Sequence, residues 1–281
     1  MLTNYYKYIL YISVFILFFT VNSVIAQAEI KLVSKMTQEY EVESGEKYRG
    51  KIKLINSGEY MKRARIYKRD YTFNADGFSF YEEAGSEPRS NADWIDLQTN
   101  VVNVSPGNYG EVFYEISVPS QLNKSGTFWS VIIIEPVNFE EINSDFVSSQ
   151  QMEKLNLGQR LRYAIQIVTN LGDSGEGKFK IKLKNVCLQK LEGKEKKYNF
   201  KFDIHNFGDS WLNPDIWMEV YHPDENKKKI YEGKKMRIFP GTSVNQQITL
   251  ENLKKGIYPA ILLIDDENND IFGYQYDIKI K

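Results

Sequence analysis

GTFWSVIIIEPV, residues 126–137, is the stretch from which the rest of the chain is best read. A strand with one face on a core and one in water alternates apolar and polar residues. Here Phe128, Trp129, Val131, Ile132, Ile133 and Ile134 are interrupted by Ser130 alone. Branched and aromatic residues at this density specify a strand, and apolar residues on both of its faces call for cover on both. One cover is the core of its own domain. The other is the polar connection at 138–156, a second domain or a partner. A core strand simply rich in β-branched residues is the plainer alternative.

Working outward from this strand, the chain keeps a rhythm of short strands and turns. Lys51-Ile52-Lys53-Leu54-Ile55 alternates and stops at Asn56-Ser57-Gly58. Residues 65–73 lead into Asn74-Ala75-Asp76-Gly77, a hairpin signal, and residues 111–118 alternate up to Pro119. Helical periodicity is nearly absent, with one candidate helical turn within 148–157. Many short strands at this spacing predict an all-β protein built as a sandwich.

The second half repeats the first. Ile52-Lys53-Leu54-Ile55-Asn56-Ser57-Gly58 corresponds to Phe202-Asp203-Ile204-His205-Asn206-Phe207-Gly208, and Val104-Ser105-Pro106-Gly107 to Ile238-Phe239-Pro240-Gly241. Ser125-Gly126-Thr127-Phe128-Trp129-Ser130-Val131-Ile132 corresponds to Lys255-Gly256-Ile257-Tyr258-Pro259-Ala260-Ile261-Leu262. Three blocks in one order predict two tandem immunoglobulin-like β-sandwiches, at 29–171 and 172–281. The Gly-rich stretch at 171–177 is the expected boundary, with the freedom of a hinge. Trp94, Trp129 and Trp217 are the aromatics expected to fill the sandwich cores, with carbohydrate stacking as the other use of such residues.

The N-terminus reads as an export signal. Lys7 precedes an apolar run at 9–21 broken only by Ser13 and Thr20. Val24-Ile25-Ala26 and Ala26-Gln27-Ala28 both satisfy the small-residue rule for cleavage, so the signal peptide is 1–28. An uncleaved membrane anchor is the alternative, and the run is shorter than the roughly 20 residues of a spanning helix. The expected location is therefore periplasmic or at the cell surface. Cys187, the single cysteine, leaves no internal disulfide, and its strand-like surroundings predict a buried apolar role.

Charge and motifs exclude more than they assign. The 36 basic and 37 acidic residues give a net charge of −1, so no overall field draws nucleic acid or an anionic membrane. The two histidines, His205 and His222, lack the spacing of a metal site, and no nucleophile elbow, zinc-protease motif or phosphate loop is present. No cofactor, metal or catalytic residue is predicted. The acidic stretch at 265–270 could ligate calcium, but it reads more simply as a hairpin tip. The Lys227-Lys228-Lys229 run reads as a solvated hairpin.

Two candidate binding surfaces emerge. Arg63, Arg65, Tyr67, Arg69 and Tyr71 fall on one strand face and suit an anionic glycan or wall polymer. The same face is also what an ordinary solvated strand with arginine–aromatic packing looks like. The second surface follows the 138–156 connection, where Leu161, Tyr163, Ile165 and Ile167 recur at every second residue, with Arg162 between them. Such a strand could add to a protein partner's sheet, or only complete its own core.

That order resembles the N-terminal domain of the PapD-type periplasmic pilus-assembly chaperones. The matching pieces are Asn56-Ser57-Gly58, Trp94-Ile95, Val104-Ser105-Pro106-Gly107, Val118-Pro119, Gly126-Thr127-Phe128-Trp129 and Arg162-Tyr163-Ala164-Ile165, within about 30–170. The tandem ending in Gly256-Ile257-Tyr258 is also similar in layout to WxL-interacting surface proteins. The resemblance implies a non-enzymatic, chaperone-like or scaffold-like role toward an envelope or surface-fibre protein, by strand addition at 161–168. It also implies an arginine and a lysine that anchor the subunit's terminal carboxylate. The basic residues in this region are Lys31, Lys35, Arg160 and Arg162, and Val168-Thr169-Asn170 stands where the family ends its lending strand in Tyr-Arg-Pro.

Overall fold

The computed structural model describes residues 30–137, 161–172, 180–192, 197–222, 227–266 and 271–281. The export segment at 1–28, the connection at 138–156, Arg160, residues 173–177 of the boundary, the turn at 224–226 and residues 267–270 of the acidic stretch lie outside them. The candidate helical turn within 148–157 lies outside them too. Among the described residues the helical content is one 3-10 turn, Ala92–Trp94.

The first sandwich is built from β1 (Ile30–Leu32), β2 (Thr37–Val42), β3 (Lys47–Asn56), β4 (Lys62–Phe73), β5 (Ser79–Glu82), β6 (Ile95–Leu97), β7 (Val101–Val104), β8 (Tyr109–Ser117), β9 (Gly126–Val137) and β10 (Tyr163–Leu171). One sheet runs β1-β3-β8-β6, and the other runs β2-β10-β9-β4-β5, with β7 also on β4. The alternation that specifies these strands is explicit in β8, where Val112, Tyr114 and Ile116 point inward while Glu111, Phe113 and Glu115 point out. The second sandwich comprises β11 (Ile181–Lys190), β12 (Lys197–Asn206), β13 (Asp215–His222), β14 (Lys227–Glu232), β15 (Ser243–Glu251), β16 (Gly256–Asp265) and β17 (Ile271–Ile280). Its sheets run β11-β12-β15 and β14-β13-β16-β17. The chain is thus an all-β tandem of immunoglobulin-like sandwiches, each with its own apolar core.

The sequence repeat is a repeat of hydrogen bonds. Asn56 is fully buried, and its Nδ2 donates to the carbonyls of Tyr60 (2.7 Å) and Val104 (2.8 Å). Its Oδ1 accepts from the Gly58 N–H at 2.9 Å. Asn206 does the same with Ser210 (2.8 Å), Ile238 (3.0 Å) and the Gly208 N–H (2.8 Å). In both sandwiches the glycine of the Pro-Gly turn donates back to the asparagine carbonyl, Gly107 to Asn56 and Gly241 to Asn206. Both glycines sit at positive φ, 69° and 79°. A side-chain amide that bonds three main-chain groups at once is what each turn requires, which explains why this residue type recurs at equivalent places.

Three sequence expectations need correction or refinement. Trp94 is in the first core, 4.7 Å from the Phe128 ring. Trp217, in contrast, is only partly buried, because Ile216, Met218 and Val220 take the inward positions of β13. Trp129 is buried, but outside either sandwich core. Cys187 is exposed rather than buried. The register of β11 on β12 shifts between Lys184 and Cys187, and Asn185 there adopts φ 51°, so this β-bulge cancels the alternation read from the sequence.

Candidate functional site

The site is assembled around β9, which is buried along nearly its whole length. Phe128, Ile132 and Ile134 enter the first core. Ser130, the one polar residue in the run, is fully buried as well, and its hydroxyl donates to Asn91 Oδ1 at 2.6 Å. Asn91 in turn donates to the carbonyls of Phe128 (3.3 Å) and Ile167 (3.1 Å), so no polar group of this cluster goes unserved. The other face of β9 carries Trp129, Val131, Ile133 and Glu135.

Trp129 is covered by the second sandwich. Its ring stacks on Phe239 with centroids 4.7 Å apart and planes 9° from parallel, and Val168, Phe73 and Trp211 complete the cluster. The Trp129 indole N–H donates to the Tyr71 carbonyl at 2.6 Å. Further along, Val131 lies in register between Arg69 and Gln166, and Ile133 between Tyr67 and Ala164. At its Trp129 end the second face of the strand is therefore covered by the chain's other half.

Polar contacts fix that joint. The Arg89 guanidinium pairs with Asp209 and also donates to the Ser125 carbonyl at 3.1 Å. Arg89 is held by a loop wound around Asp70, whose buried carboxylate accepts from the Glu87 N–H (2.7 Å) and the Ser90 hydroxyl (2.5 Å). The Thr127 N–H donates to the Asp209 carbonyl (2.8 Å), and its hydroxyl accepts from the Trp211 N–H (3.0 Å). Gly126 lets the two backbones approach, since a Cβ there would lie 2.1 Å from the Asp209 carbonyl oxygen, and its φ is 96°. Arg237 stacks on Trp211 at 3.8 Å and reaches Glu39 at 3.2 Å.

Beside β9, β10 has a divided edge. From Gln166 to Leu171 it lies between β9 and β2, with β2 parallel to it. From Tyr163 to Ile165 it pairs with β9 alone among the described residues. The Gln166 N–H donates to the Met36 carbonyl, away from β9. By strand alternation the main-chain groups of Ala164 point to that same side, where no described strand meets them.

The predicted partner-binding residues divide along the same line. Leu161 is exposed, and Arg162 is pinned to the buried Glu135 carboxylate at 2.6 Å. Tyr163 is partly buried on the first core, its hydroxyl donating to the Ile30 carbonyl at 2.9 Å, and burial raises its pKa. Ile165 and Ile167 are 0% exposed and belong to the core of their own sandwich. A partner reaches their side chains only if that sandwich opens.

The basic face is a surface of β4 with its side chains engaged. Arg63 donates to Asn103 at 2.8 Å, Tyr67 donates to Glu135 at 3.4 Å, and Arg69 lies over the Tyr67 ring at 5.2 Å. Arg65 is exposed. On β2, Glu39 meets Arg237 of the second sandwich at 3.2 Å. Asn170 donates to Glu39 (3.0 Å) and Glu41 (2.8 Å). Among the described residues no group of three or more His, Cys, Asp or Glu could hold a metal, and no helix is long and apolar enough to cross a membrane.

The sequence reading missed Glu39, Arg89, Asp209, Trp211, Arg237 and Phe239. One signal was legible: Phe239 stands in a turn where the repeat has Ser105, and a large aromatic in a turn needs a contact to bury it.

No family model matches the chain, and no curated protein sequence does. Among solved structures the chain is similar to pilus chaperones. A chain of the chaperone–tip adhesin complex of CFA/I fimbriae biogenesis has 10% identity, with 90% of this chain and 100% of that chain covered and a TM-score of 0.46. The YadV chaperone has 10% identity, with 89% and 100% covered and a TM-score of 0.45. A chain of the CsuC–CsuE pre-assembly complex of Acinetobacter baumannii has 12% identity, with 88% and 98% covered and a TM-score of 0.41. At these identities the likeness is one of layout, two sandwiches in series.

Proposed function

We propose that this chain is a non-enzymatic exported binding protein, chaperone-like or scaffold-like, acting on an extracytoplasmic protein partner. Its two units, 29–171 and 172–281, hold one strand edge in a fixed place for that partner. The observation that supports this reading is the divided edge of β10: β2 closes it from Gln166 onward, and Tyr163–Ile165 pair with β9 alone among the described residues. An edge strand offers main-chain donors and acceptors to an extended segment of another chain, and flanking side chains add selectivity. Leu161, Arg162 and Tyr163 are those flanking side chains, while Ile165 and Ile167 keep the strand seated from within. The export signal at 1–28 supplies the compartment.

The test is Ala164→Pro, which removes an N–H on the side away from β9 and leaves the ladder to β9 intact. Capture of a specific envelope protein by the wild-type chain should be lost in this variant while the melting temperature stays near its original value. Ile165→Ser and Ile167→Ser supply the contrast, each costing about 2–5 kcal/mol of stability. Equal capture by wild type and Ala164→Pro would sink the reading.

A further inference from the structure

Several strands at or beside the sheet edges are defended against pairing with another chain. β14 carries Lys227, Lys228 and Lys229, β11 is broken by its bulge, β5 is four residues long, and β10 is closed by β2 over most of its length. Charged side chains, bulges, short strands and covering elements are the usual devices against edge-to-edge association. β17 has little of this. It is ten residues long, contains no proline, and keeps unbroken register with β16 from Gly256↔Ile280 to Asp265↔Ile271.

The two sandwiches differ here for a topological reason. In the first, β2 follows β1 and crosses to the other sheet, where it closes the edge of β10. In the second, β11 stays on β12 for its whole length, and no described strand lies on the outer side of β17. The exposed face of β17 carries Gln275, Asp277 and Lys279. The inner face carries Tyr274 and Tyr276, partly buried, followed by the buried Ile278 and Ile280.

We propose that β17 pairs antiparallel with β17 of a second copy of this chain, about a two-fold axis at Ile278. Charge selects that register. With Ile278 facing its own copy, Asp277 faces Lys279 twice over by symmetry, and Tyr276 faces Ile280 on the inner side. Opposite charges and aromatic–branched pairs are favourable cross-strand neighbours. Moving the axis to Asp277 sets two carboxylates against each other. Moving it to Tyr276 sets Lys279 against Gly273 and Asp277 against Gln275, which loses both ion pairs. Neither Asp277 nor Lys279 has an ion-pair partner among the described residues of its own chain. The interface is isologous, so it closes on itself as a dimer.

Sedimentation of the exported chain from low to high micromolar concentration should show a reversible dimer. Asp277→Lys and Lys279→Asp each turn two attractions into two repulsions and should weaken dimerisation about tenfold or more. The double variant Asp277→Lys/Lys279→Asp should restore it. Both side chains are exposed, so the thermal melt of each variant should match wild type. A chain that stays monomeric throughout, or a dimer indifferent to the single swaps, overturns the proposal.

Discussion

β9 and β16 occupy equivalent places in the two sandwiches, yet only β16 behaves like an ordinary half-buried strand. Tyr258, Ala260, Leu262 and Ile264 of β16 are buried, while Ile257 and Pro259 on the other face are exposed and Ile261 and Leu263 partly so. β9 matches the inward set with Phe128, Ser130, Ile132 and Ile134, then adds Trp129, Val131 and Ile133 on the other face. The difference traces to one asymmetric exchange. Trp129 stands where β16 has the exposed Pro259, and it meets Phe239, which stands where the first sandwich has the exposed Ser105. A duplicated fold becomes a fixed pair by placing two aromatics at positions that are solvent-facing in the other copy.

The largest test of that comparison is to make the halves alike. Phe239→Ser should cost about 3–5 kcal/mol, because it empties the stack on Trp129. Chemical denaturation would show the loss, with the Trp129 environment reporting in fluorescence. The matching change on the other strand, Pro259→Ala, should stay within about 0.5 kcal/mol, since Pro259 is exposed. Equal costs for the two would erase the distinction drawn here.

Gly126→Ala probes the close approach itself. The new Cβ meets the Asp209 carbonyl at a distance no real contact allows, and the positive φ adds strain. The expected loss is about 1–3 kcal/mol, read by denaturant unfolding, with small-angle scattering showing the sandwiches moved apart.

What the halves share can be sharpened in the same way. Asn56→Ala and Asn206→Ala each remove three side-chain bonds to the main chain, so each should cost about 1–3 kcal/mol, with the larger loss at Asn206, whose partners are all buried. A larger loss at Asn56 would mean that burial of the bonded groups does not set the cost.

A small effect is also expected at the basic face. Replacing Arg63, Arg65 and Arg69 with Gln should shift stability by no more than about 1 kcal/mol, because these side chains bond at the surface. Calorimetry would check this. A larger loss would give the face a structural weight that its contacts do not show.

Strand identity and the turns at Asn56 and Asn206 were legible in the sequence because they depend on neighbours within a few residues, whereas the same amides' bonds to Val104 and Ile238 reach distant strands. Period-two burial, a φ that glycine tolerates and an amide that serves its own turn are local requirements. The β-bulge at Asn185 shows where such reading fails: nothing in Lys184-Asn185-Val186-Cys187 announces the register shift that turns Cys187 to solvent. The tertiary structure alone decided what covers Trp129 on the second face of β9 and how far β2 runs along β10 among the described residues. Both depend on groups brought together from distant segments, Phe239 onto Trp129 and Met36 onto Gln166, and residue pattern carries no term for such contacts. Thus the apolar run at 126–137 announced that a cover was needed, and only the docking of the second sandwich at Trp129 showed what that cover is.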